Sequence, residues 1–300
     1  MSSQALPPRS GSLAETGNLR RRQRASQIGR FALMAATLFA VVALGILLWY
    51  IVQRGWGWLS WGLLMNPPSR KPERAGLSIA ISGTLWIISL TLLVAFPMGV
   101  ASAIYLEEYA PKNRWTRMLQ INISNLAGVP SVVYGLLGLG IFVQWMGLGR
   151  VVLSGALTMA LLSLPVIIIS SQEALRAVPP SLREAAYGVG ATRWQVTASH
   201  VLPAAIPGIM TGVILAVSRA IGETAPLLVV GAAGFLTSKP SGFTDSYTTI
   251  PIQLYNWMSR PQAGFRDLAA AGIIVLLALL ISMNLIAIVV RQHYSSKTRW

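Results

Sequence analysis

Six apolar stretches dominate this chain, at about residues 31–52, 77–105, 119–145, 151–171, 206–234 and 268–290. Each is long enough to cross the hydrocarbon core of a bilayer, which takes about 20 residues of helix. Lipid offers the backbone no hydrogen-bond partners, so such stretches close their bonds internally as helices. The expected fold is all-α, a polytopic membrane protein of about six transmembrane helices. Composition agrees, since 11% of residues are charged, against about 25% in soluble domains. The first stretch is too long for a signal-peptide core and is expected to remain as a helix. Residues 1–27 read as a disordered basic arm, 28–294 as the membrane domain and 295–300 as a short tail.

The net charge of +15 is placed as topology requires, at the edges of the apolar stretches. That argues for contact with lipid headgroups and against nucleic acid. With the N-terminus inside, inner segments carry nearly twice as many Lys and Arg as outer ones. Both termini are therefore expected in the cytoplasm. Two loops are longer than topology needs. One, 172–205, is cytoplasmic. The other, 235–267, is external, and its Tyr247, Tyr255 and Trp257 suit an interface or a protein contact.

Within the inner loop, PPSLREAAYGVGATRWQVTASHVLP is strongly punctuated. Pro179 and Pro180 stop the preceding helix. Ser181 with Glu184 has the spacing of a capping box, and Thr192 with Gln195 repeats it. Gly188 and Gly190 separate the two short helices this predicts, the second ending before Pro203. Small Ala185 and Ala186 allow close approach by another protein. Equally, Glu184 could only cap its own helix, with the alanines as plain helix formers.

The pattern Glu184–Ala185–Ala186, three residues, Gly190, nine residues, an apolar position and Leu202–Pro203 resembles the EAA loop of importer permeases in ATP-binding-cassette systems. His200 departs from it, where that family places an apolar residue. The resemblance implies a MetI-like permease fold. It also implies that Glu184, Ala185, Ala186 and Gly190 belong to coupling helices seated in a partner ATPase.

SRAIGETAPLL, residues 218–228, places two ions in the fifth stretch. Arg219 and Glu223 are four residues apart, so a helix brings them to one side. Gly208, Gly212, Ala216 and Ala220 are expected on that side, with Met210, Val213, Ile214, Val217 and Ile221 opposite. An Arg near the bilayer centre costs about 3 kcal/mol on insertion scales. A partner at ~4 Å returns about 4 kcal/mol at an effective dielectric near 20, less desolvation. A structural pair roughly breaks even. The alternative is a waypoint for an anion, since guanidinium matches phosphate oxygens in pairs. Glu223 would temper the field, and Pro226 would permit a bend.

RAIGETAP at 219–226 also resembles PstA-type phosphate-uptake permeases, as do ASAIYLEEYAP (101–111), GVPSVVYGLLGLGIF (128–142), the stretch 164–195 and PIQLYNWMSRPQAGF (251–265). That resemblance implies a subunit of an ATP-driven phosphate importer in a bacterial or archaeal plasma membrane. It implies four kinds of contact: a homologous second permease subunit, two copies of an ATPase, an external phosphate-binding protein and lipid. It also implies roles for Arg219 and Glu223 in phosphate passage. Rival readings are a permease for sulfate or molybdate, and an ATPase-independent secondary transporter or channel.

The sequence contains no G-x-x-x-x-G-K-[ST] loop, so ATP hydrolysis is expected of a partner and no enzyme activity of this chain. His200 and His293 are far apart without nearby carboxylates, so neither a metal nor another cofactor is expected. Cysteine is absent. Glu107 and Glu108 are expected at a solvated span end, paired with Arg114 or touching a partner. Asn122 and Asn125 are expected to bond between helices.

Overall fold

A computed structural model describes residues 17–232 and 234–296. It divides at the boundary between residues 53 and 54 into two units. Helix α1 (Gly17–Gly55) supplies the described part of the first unit. Its side chains are exposed almost throughout residues 21–53, including the apolar ones from Phe31 onward, as a lipid-facing helix requires. Residues 17–27 are helical, where a disordered arm is expected from composition. Residues 1–16 and 297–300 lie outside the described residues.

The second unit contains α2 (Trp61–Met65), α3 (Ser78–Ile104), α4 (Arg114–Ala127), α5 (Ser131–Gly138) and α6 (Val152–Arg176). These are followed by α7 (Pro180–Gly188), α8 (Arg193–Val196), α9 (Leu202–Gly222), α10 (Ala225–Val230), α11 (Ile250–Met258) and α12 (Ala263–Ser296). Among the described residues, five helices are long and apolar enough to cross a membrane. The fold is all-α, as the apolar stretches require.

Two expected spans are broken. Residues 119–145 form two helices meeting at 103° rather than one. Gly128 caps α4, and Pro130, which lacks an N–H, stands before α5. The fifth span stops at Gly222, short of the expected 234. Glu223 is extended (φ −77°, ψ 127°), and α10 then starts with Pro226 in its first turn. The break precedes the proline that was expected to cause it.

Small residues set the central packing, as they do between membrane helices. Gly99 of α3 lies on Ile167 of α6, while Gly208 and Gly212 of α9 lie on Ala174 and Ser170 of α6. A methyl at any of these glycines would drive into the neighbouring helix. The segment 240–258 is also drawn inward. Val152 and Leu153 N–H, orphan donors at the start of α6, donate to Asp245 O and Phe243 O at 2.9 Å each. Ile250 N–H donates to Thr84 Oγ1 at 3.0 Å. Tyr247 and Trp257 are consequently fully buried, against the expectation of an interfacial or partner role, while Tyr255 is exposed. The Asp245 carboxylate accepts from Ser241 N–H (2.7 Å), Ser241 Oγ (2.8 Å) and Gly242 N–H (2.9 Å). These bonds, the Ser241 N–H foremost, hold its carboxyl below the usual carboxylate range.

Candidate functional site

Arg219 stands in the last turn of α9, and its Nε lies 4.0 Å from Glu223 Oε2. The two are neighbours across a helix end, since Glu223 has already left helical geometry. Its N–H still reaches Ala220 O at 3.3 Å, which keeps the carboxylate close. The Arg219 side chain is 50% exposed and that of Glu223 is 18% exposed. An ion pair this open contributes at most about 1 kcal/mol to stability.

The small residues lie close to the side of Arg219: at 3.6 residues per turn, Gly208 and Gly212 stand within about 20° of it. Gly212 and Ala216 are buried, and Gly208 and Gly212 both lie against α6. Three residues beyond Ala216, Arg219 stands about 60° around the helix axis, beside exposed Leu215. Where Arg219 does meet α6, the crevice among Leu162, Ser163, Val166, Ala216 and Ala220 is about 10 Å³. That is no more than the room for one water. The guanidinium is half-exposed and is not enclosed within this chain. Helix α12 steadies this part of α9: Ser218 Oγ lies 2.6 Å from Asn284 Oδ1, and Arg291 donates to Thr211 Oγ1 at 3.0 Å.

The inner loop folds as two short helices about a glycine turn, as its punctuation predicts. Gly190 has φ +84° with open space around it, so the backbone conformation alone demands glycine there. Thr192 and Gln195 form the expected capping box. Ser181 does not cap α7: Pro180 is already its first residue, with Pro179 at the cap position and no side-chain bond. Nor does the second helix end before Pro203. It continues through a π-helical turn, Thr197–Val201, into α9, making one run from Arg193 to Gly222. The wider turn accommodates the N–H that proline lacks. Glu184, Ala185 and Gly190 are exposed, whereas Ala186 is buried against its own core and is not available for contact.

The end of α3 and its π-helical turn, Tyr105–Tyr109, clamp this loop. Arg183 donates to Glu108 Oε1 (2.8 Å) and to Val178 O and Leu175 O (2.8 and 2.9 Å), satisfying carbonyls left over at the end of α6. Arg176 Nε donates to Glu107 Oε2 at 2.9 Å. The Arg193 guanidinium lies 5.2 Å from the centroid of the Tyr109 ring. Glu107 and Glu108 thus pair with α6 and α7 rather than with Arg114. Asn122 donates within its own helix, to Met118 O at 2.8 Å, and not between helices. Beside Glu184 the loop also presents Tyr187, Val189 (85% exposed) and Trp194 (68% exposed). Large exposed side chains on a short, well-clamped loop mark a contact surface.

The family described as binding-protein-dependent transport system inner membrane component matches residues 95–300. This chain belongs to that family. Among its relatives, the phosphate transport system permease protein PstA 1 of Mycobacterium tuberculosis (strain ATCC 25618 / H37Rv) is 33% identical over 281 residues, covering 91% of this chain and 89% of that protein. PstA of Yersinia pestis is 32% identical over 280 residues, covering 90% of each. A chain of an inward-facing MetNI methionine ABC transporter shares the fold at a TM-score of 0.60 and 15% identity, covering 73% of this chain and 97% of that one. A bacterial ABC transporter for import of the polysaccharide alginate gives 0.58 at 17% identity, covering 90% and 99%.

As an ABC importer permease with PstA relatives, the chain is a transport component of a membrane. Its fold is the MetI-like one implied by the EAA-type loop. Within this permease, sequence reasoning missed Val189 and Trp194. Their signal was an apolar or aromatic residue on each side of a glycine turn that contributes nothing to a core.

Proposed function

We propose that this permease passes inorganic phosphate into the cell, receives it from an external binding protein, and is driven by a separate ATPase seated on the 180–196 loop. The observation that carries the reading is Arg219, half-exposed beside Glu223 at the end of a membrane-length helix. A phosphate ion would meet a planar pair of donors there, tempered by a carboxylate so that the ion can leave again. The crevice beside Arg219 inside this chain is too small for phosphate. The passage therefore needs a second wall, supplied by a homologous permease subunit.

The unbroken helical run from Arg193 to Gly222 explains coupling. Motion of the ATPase copy bound at α7 and α8 would reach Arg219 through a continuous rod. Glu108 with Arg183 and Glu107 with Arg176 keep the loop in step with α3 and α6. The relatives named as phosphate permeases support phosphate over other oxyanions, and a bacterial or archaeal plasma membrane as the location.

The test is uptake of radiolabelled phosphate by cells lacking their own carrier but expressing this permease with its partner subunits. Uptake should persist in excess sulfate and stop when ATP is depleted. Equal suppression by sulfate or molybdate would instead assign a general oxyanion permease. Uptake independent of ATP would point to a secondary transporter.

A further inference from the structure

A groove runs between α4 and α6, away from Arg219. Its wider part, about 660 Å³, is lined by Glu107, Lys112, Arg114, Arg117 and Arg176 among others. Its narrower part, about 280 Å³, shares Arg117, Gln120 and Arg176 and continues along Ser124, Asn125 and Gln172. The shared residues make the two parts one feature.

Its charge is uneven. Four cations line it (Lys112, Arg114, Arg117, Arg176) against two carboxylates, Glu107 and Glu173. Arg176 holds both carboxylates, at 2.9 and 3.1 Å. Lys112, Arg114 and Arg117 have no ion-pair partner among the described residues. Deeper in, Gln172 is 6% exposed and its Nε2 donor is unpaired. A buried donor left without a partner is costly. Trp115, next to Arg114 and 74% exposed, suits the level of lipid headgroups.

We infer that this groove binds a phosphoryl group at the cytoplasmic face, with Arg117 and Lys112 as its principal cations. A multiply charged oxyanion suits a groove of clustered guanidinium and ammonium donors better than a singly charged carboxylate does. The phosphoryl group has two sources of the same chemistry: an anionic lipid headgroup, or inorganic phosphate leaving the permease. Only the second source rests on the transport reading given above.

The experiment compares the full-length chain with the double variant Arg117→Gln/Lys112→Gln and with Arg117→Lys. One arm measures binding of radiolabelled inorganic phosphate to the detergent-purified chain by equilibrium dialysis. The other places the chain in nanodiscs of mixed phosphatidylglycerol and phosphatidylcholine, then measures by mass spectrometry which lipid it retains. The double variant should lose about tenfold or more of the binding in at least one arm. Arg117→Lys should keep most of it. Because neither substituted side chain has an ion-pair partner, circular dichroism should show an unchanged fold. Loss in the phosphate arm identifies an exit station, and loss in the lipid arm a headgroup seat. Arg219→Gln should leave this binding intact, which separates failure here from failure of the transport reading. Unchanged retention of both probes by the double variant, or no binding of either by the unsubstituted chain, would overturn the assignment.

Discussion

Arg219→Gln should abolish phosphate uptake while the permease still reaches the membrane and assembles with its partners. Two charge-assisted hydrogen bonds to an oxyanion contribute about 1.5–3 kcal/mol each. Losing both corresponds to at least about a hundredfold in the affinity of that waypoint. Stability should hardly change, because the ion pair to Glu223 is 4.0 Å long and its arginine is half-exposed. Arg219→Lys keeps the charge but not the planar fork, so its uptake should fall between the two. Glu223→Gln leaves the guanidinium untempered: phosphate should enter and then be held, so turnover falls more than entry. Normal uptake by Arg219→Gln would remove this residue from the pathway.

Glu184→Lys should release the ATPase from the purified complex. Glu184 is exposed on α7, outside the clamp that Arg183 makes with Glu108, so reversing its charge leaves the loop folded. A repulsive charge set into an interface costs several kcal/mol. Co-purification should therefore fall by about a hundredfold or more. Trp194→Ala should weaken the same contact, since large exposed aromatics anchor interfaces. Ala186 offers the control. It is buried in its own core, so Ala186→Lys should unfold the loop and lower the amount of permease recovered rather than selectively losing the ATPase. Unchanged co-purification of Glu184→Lys would remove the docking role from this face.

Much of the architecture was legible because lipid narrows the choices to helices. The apolar stretches located the membrane helices, and Thr192, Gln195 and Gly190 placed the turn in the inner loop. What was not legible depended on where backbone bonds were broken. Gly128 and Pro130 sit in an apolar stretch of ordinary length, and hydropathy carries no sign of a 103° bend. Glu223 matches helical spacing from Arg219, yet the helix ends one residue before it. Spacing alone brought the right two side chains together for a partly wrong reason. The glycine and alanine stripe of α9 lies against α6, because small residues serve close helix packing as readily as a passage. Tyr247 and Trp257 looked interfacial because their partners, Gly155 and Leu254 with Gly272, lie far away or are unremarkable in sequence. The clamp between the end of α3 and the inner loop joins residues some 70 positions apart (|i−j| of 69 and 75) and could not be read from local pattern.

The most direct test of the central claim is the water accessibility of position 219. The chain contains no cysteine, so it is already a clean background for single-cysteine labelling. In membranes, Arg219→Cys should react readily with a charged methanethiosulfonate reagent. Ile221→Cys, at a buried position two residues on, should not. If Arg219→Cys reacted as slowly as Ile221→Cys, the guanidinium would be sealed from water, and it could not hand phosphate across the membrane.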